Sequence, residues 1–107
     1  MKRIAATLIL SAAFGAFAAG EPEIGVTIEG HKFTPDRIEV PAGKKVKLLV
    51  ENKDATPEEF ESGALKIEKV IPGKSKATIF VGPLKAGEYK FVGEFNEKTA
   101  QGVLVAK

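Results

Sequence analysis

The sequence predicts an all-β chain folded as an antiparallel β-sandwich, and three observations predict it. Short runs alternate apolar with polar residues at the period of two that a strand with one buried face requires. Glycine and proline turn signals separate these runs at intervals of about ten residues, the spacing of a sandwich. No stretch carries a convincing amphipathic helical period, and there is no internal repeat or low-complexity tract. A chain of 107 residues with about seven such strands holds one domain.

The first twenty residues read as an address and not as part of that fold. Lys2 and Arg3 form a positive start, residues 4–17 an apolar run too short to span a bilayer, and Ala16-Phe17-Ala18 a small-residue cleavage site. The expected organisation is a cleaved signal peptide over 1–18 and an exported domain over 19–107, with no stable membrane insertion.

The strands follow in order. Residues 24–28 alternate as a first strand, and Gly30 and Pro35 then break the pattern before residues 37–40 resume it. Pro41-Ala42-Gly43 makes a turn. In the third strand Val46, Leu48 and Val50 point one way and Lys45, Lys47 and Glu51 the other, up to Asn52. Residues 54–63 form the one long polar stretch. Within it Thr56-Pro57-Glu58-Glu59 fits a capping box with proline at the first helical position, so one short helical turn is expected near 56–62. Residues 65–70, 77–81, 89–92 and 102–106 complete the seven strands, with Pro72-Gly73-Lys74-Ser75 as a turn.

Composition excludes several function classes. With 16 Lys and Arg against 14 Asp and Glu overall, loss of Lys2 and Arg3 leaves the mature domain close to neutral, without the clustered basic face that nucleic acid requires. There is no cysteine, so neither a disulfide framework nor a thiolate metal site can form. With one histidine and no cysteine, Ser62 and Ser75 have no triad to build on, and no hydrolase or transferase constellation is present.

Five pieces in order, Phe33-x-Pro35, Val40-Pro41-Ala42-Gly43, Val46 to Asn52, Gly87-x-Tyr89-x-Phe91 and Gly102-Val103-Leu104-Val105, resemble the cupredoxin family. The resemblance implies a Greek-key sandwich with a metal held at one end, between the loop after Asn52 and the loop after Phe91. In the family's pattern the first histidine falls on Glu58, the cysteine on Gly93, the second histidine on Asn96 and the axial methionine near Ala100 or Gln101. A type 1 copper site needs two imidazoles and a thiolate. None of these ligands stands at those positions, and the one methionine is Met1.

The wording Glu58-Glu59-Phe60-Glu61-Ser62, Leu65-x-x-Glu68-Lys69-Val70-Ile71, Gly82-Pro83-Leu84, Gly93-Glu94-Phe95 and Thr99-Ala100-Gln101-Gly102 is similar to a narrower group. Its members are exported cupredoxin-like proteins associated with bacterial high-affinity ferrous iron permeases. That resemblance implies a periplasmic accessory protein of iron uptake, with a permease or another subunit as partner. It also implies copper, not of type 1, as metal, iron as substrate, and at most a redox role in iron oxidation. Members of that group usually carry His where Asn96 stands.

The candidate metal ligands are His31, Glu58, Glu59, Glu61, Glu94 and Asn96. An imidazole with carboxylates suits Cu(II), Fe(II) or Zn(II) better than Cu(I). Each has a plainer alternative: His31 as a hydrogen-bonded loop residue, Glu59 as closure of the capping box, Asn96 as a partner of the loop backbone. If 56–62 is helical, Glu58 and Glu61 share a face; if the loop after Phe91 is extended, Glu94 and Asn96 project to one side. Tyr89, Phe91, Phe80, Phe33, Phe60 and Phe95 read as core and loop packing and not as an electron path. Two readings stay open: a non-blue His and carboxylate site for copper or iron, or a metal-free module that binds a permease or partner subunit.

Overall fold

The computed structural model describes residues 20–107, so the expected signal peptide lies outside the described residues. Strands β1 (Glu23–Ile28), β2 (Phe33–Thr34), β4 (Val46–Asn52) and β7 (Ser75–Val81) form one sheet in the order β2-β1-β4-β7. Strands β3 (Arg37–Val40), β5 (Glu58–Ser62), β6 (Ile67–Ile71), β8 (Gly87–Gly93) and β9 (Gln101–Ala106) form the other, in the order β3-β9-β8-β5-β6. A 3-10 turn, Glu94–Asn96, links β8 toward β9.

The alternation read from the sequence sets the inward faces. Val46, Leu48 and Val50 are buried, and Val26, Ile28, Ile38, Val40, Ile79, Val81, Phe91 and Leu104 meet them between the sheets. The aromatic centre is Phe60 stacked on Phe91 at 4.7 Å, with Phe33 edge-on to both at 5.8 and 4.9 Å. Phe80 and Phe95 depart from the expected packing, since both face solvent. Phe80 lies beneath the ammonium groups of Lys45 and Lys47, at 4.7 and 5.9 Å, in a cation–π contact on the outer face.

Among the described residues nine strands replace the expected seven. The short helical turn is absent: residues 58–62 are β5, paired with β6 on one side and β8 on the other. The capping signal is local, whereas Phe60 and Ser62 alternate inward with Glu58 and gain ladder partners on two sides, so tertiary pairing overrides it. Nor is the sandwich wholly antiparallel, because β1 pairs with β4 and β3 with β9 in parallel. Parallel neighbours need a long crossover; residues 29–45 supply it between β1 and β4, and residues 41–100, which contain β4 to β8, supply it between β3 and β9.

Asn52 ends β4 and orders the loops beyond it. Its buried Nδ2 donates to the carbonyls of Thr56, Ile71 and Pro72, at 2.9, 3.1 and 3.3 Å, while its Oδ1 accepts from Asp54 N at 3.0 Å.

Candidate metal centre

The strand conformation of 58–62 decides which glutamate enters the sandwich. Glu58 points inward and is 1% exposed, whereas Glu59 and Glu61 alternate outward. Glu58 Oε1 accepts from its neighbour Glu59 N at 3.0 Å and from Phe95 N at 2.9 Å. Its Oε2 accepts from Asn96 Nδ2 at 2.7 Å. The Asn96 carbonyl in turn accepts from Ala100 N at 2.8 Å, and Gly93 N donates to Ala100 O at 2.8 Å. Glu58, Gly93, Asn96 and Ala100, the four positions that the family's pattern assigns to copper ligands, therefore do converge.

They do not fit copper. Gly93 and Ala100 carry no donor atom, Asn96 offers an amide that is already donating, and both oxygens of Glu58 are engaged. A Cβ at position 93 would stand 2.6 Å from Glu58 Cδ, 2.8 Å from Glu58 Oε2 and 2.6 Å from the Ala100 Cβ. The carboxylate fills the space that a thiolate side chain would need. A hard anion and a neutral amide are also the wrong ligand classes for both oxidation states of a blue centre.

The outward glutamates form a separate cluster. Glu61 stands opposite Glu68 across the β5–β6 ladder, and Glu94 on the 3-10 turn comes within hydrogen-bonding reach of both Glu59 and Glu61. Shared hydrogen bonding with the Glu94 carboxylate, then burial, then the charges of Glu94, Glu68 and Glu61 push the Glu59 carboxyl up to about 7. Burial first, then Glu94, raises Glu61. Among the described residues none of these four carboxylates forms an ion pair.

His31 joins neither group. It adopts a left-handed backbone conformation (φ 59°), and Asp54 caps the turn by accepting from Gly30 N at 2.8 Å and His31 N at 3.0 Å. The His31 Nδ1 lies 3.5 Å from Asp54 Oδ2. Those two backbone donors hold the Asp54 carboxyl below its ordinary value, with smaller help from the His31 and Lys74 charges. The carbonyl of His31 accepts from Thr99 Oγ1 at 2.7 Å, so its loop leans on the β8–β9 connection. Asp54 and Thr99 were not visible as partners in the sequence, because each reaches across more than twenty residues to a backbone atom. Among the described residues no group of three His, Asp or Glu side chains is placed to hold a metal ion.

A family model described as the cupredoxin-like domain matches residues 2–106. An uncharacterised protein of Rickettsia prowazekii (strain Madrid E) is 42% identical over 83 residues; the match covers 78% of this chain, and the chain spans only 66% of that relative's length. Among solved structures, auracyanin A, a "blue" copper protein of Chloroflexus aurantiacus, superposes with a TM-score of 0.67 at 17% identity, covering 82% of this chain and 100% of its own. The metal-binding domain of the Streptococcus pneumoniae D39 Cu(I)-exporting P-type ATPase gives 0.67 at 16% identity, with 79% and 84% covered. These likenesses carry the fold, while the family model spans nearly the whole sequence: the chain belongs to the cupredoxin-like domain family.

Proposed function

We propose that this chain is a metal-free binding module of cupredoxin fold, exported to the periplasm, that docks on the permease or a partner subunit of a ferrous iron uptake system. One observation carries the reading: the Glu58 carboxylate closes the position where the family binds copper, with both of its oxygens engaged by hydrogen bonds from the protein. The loop that Glu58 anchors presents Phe95, 52% exposed, as an apolar contact in a polar rim of Glu94, Asn96, Glu97 and Lys98. The iron context is supported by the sequence motifs alone.

The test is co-purification with the iron permease of the same cell, together with metal analysis of the protein drawn from its own compartment. Metal-free protein that co-purifies, and loses the permease in Phe95→Ser without loss of fold, supports the reading. One equivalent of copper or iron that disappears in His31→Ala overturns it.

A second reading is favoured by the gathering of Glu59, Glu61 and Glu94 on the outer sheet face. The three carboxylates are not placed to hold an ion as they stand, so a divalent copper or iron ion would have to draw them together at an open site. Hard anionic oxygens favour Fe(III) over Fe(II), with copper or a partner subunit taking the electron. Cu(II)-induced broadening of the resonances of these three residues, abolished when all three are Gln, would establish it; unperturbed spectra would remove it.

A further inference from the structure

We propose that in this chain the Glu58 carboxylate takes over the mechanical role of the metal, cross-linking β5 to the β8–β9 loop, with Gly93, Asn96 and Ala100 fitted around it as one set. The inference deepens the docking reading by naming the residue that positions the Phe95 loop. It begins from the misfit between the copper positions and the residues that fill them.

A metal at this end of the fold would join a ligand after β4 to ligands after β8. The same two segments are joined here by a buried anion. Glu58 reaches across 37 and 38 positions in sequence to Phe95 N and Asn96 Nδ2, and accepts from both. Hydrogen bonds to an ionised acceptor are shorter and stronger than neutral ones, which suits them to a cross-link. The site is also closed in its polar accounting, since no buried side-chain nitrogen or oxygen among the described residues lacks a partner.

Each of the other three residues has a definite part. Asn96 must donate to a carboxylate, and its carbonyl accepts from Thr99 N and Ala100 N at 3.1 and 2.8 Å, which closes the turn. Gly93 has φ −91° and ψ 104°, an ordinary extended conformation open to any residue. Glycine is required there for space: its missing Cβ would collide with the Glu58 carboxylate on one side and the Ala100 methyl on the other. Ala100 is fully buried and forms that second wall. A bulky sulfur ligand at 93 and a carboxylate at 58 therefore exclude one another. The Phe95 amide is bonded directly to the carboxylate, so the exposed ring is presented without any metal-loading step.

The experiment is a polarity-reversal cycle in the intact chain at pH 8: Glu58→Gln, Asn96→Asp and the double variant. Asn96→Asp sets two carboxylates against each other and is expected to lower the thermal midpoint by roughly 10 °C in a domain of this size. Glu58→Gln/Asn96→Asp restores a donor–acceptor pair and is expected to recover at least half of that loss, or to fold where Asn96→Asp does not. The low-field amide proton of Phe95 should return in the double variant as well. Strictly additive effects, with no recovery, overturn the proposal. So does a rise in thermal midpoint of the wild-type chain with one equivalent of Cu(I) or Cu(II), accompanied by shifts of the Phe95 and Asn96 amides. Additivity would leave the docking reading standing, whereas permease binding unaffected by Phe95→Ser would remove that reading and leave the clamp.

Discussion

Gly93→Ala is the substitution that most directly weighs the packing of the copper-derived positions. Its backbone is extended, and in such a conformation Gly→Ala ordinarily stabilises by about 0.4–1 kcal/mol through the unfolded chain. Here the added methyl would lie 2.6 Å from both Glu58 Cδ and the Ala100 Cβ. Ala100 is buried and its Cβ is fixed to the backbone, so the carboxylate must yield. If it rotates away, Phe95 N and Asn96 Nδ2 lose their acceptor, and hydrogen bonds to a charged group are worth about 1.5–3 kcal/mol each. A loss of about 3–5 kcal/mol follows from the two bonds together, less the small gain in the unfolded chain. That is a large part of the about 5–15 kcal/mol that holds a typical domain, and it corresponds to a fall in thermal midpoint of roughly 15 °C or more. Urea unfolding followed by far-ultraviolet circular dichroism measures it. A neutral or stabilised Gly93→Ala would refute the placement of the Glu58 carboxylate against position 93.

Three further outcomes are expected. The Glu59 carboxyl is raised in the folded state, so the stability it contributes is present at and below its ordinary 4.5 and is lost as the pH rises toward about 7; Glu59→Gln should flatten the pH dependence of the urea midpoint over that window. Asp54 is shifted the other way, so its contribution is present above 3.8 and lost as the pH falls through its lower folded value. Asp54→Ala should cost about 2 kcal/mol and speed hydrogen exchange at the Gly30 and His31 amides. Phe60→Ala removes one ring of the stacked pair at the centre of the core and should cost about 3–5 kcal/mol in the same urea experiment.

The β-sandwich was legible because its signal is periodic and local. Val46, Leu48 and Val50 alternate with charged residues, and a strand buried on one face must do so. β5 was not legible for the same reason reversed: Thr56-Pro57-Glu58-Glu59 carries a strong local helix-start signal, while the β6 and β8 ladders that override it lie elsewhere in the chain. That one substitution of strand for helix reassigns the glutamates. Glu58 and Glu61 no longer share a face; Glu58 goes into the sandwich, and Glu59 and Glu61 go out to meet Glu94. The 3-10 turn has a similar effect after β8, sending Asn96 to Glu58 and Glu94 to the outer cluster.

The sequence by itself determined that this chain builds a β-sandwich, because the strand periods are written in neighbouring residues, and that it cannot build a blue copper centre, because cysteine and a second histidine are missing; the cupredoxin frame was implied by the resemblance of its motifs. Only the tertiary structure decided what fills the vacated positions. Glu58 meets Phe95 and Asn96 across the fold, and Gly93 is tolerated there for the volume it leaves, facts that depend on distances between segments remote in sequence. Chain order records which residues are available; hydrogen bonding and excluded volume between distant strands determine which of them meet.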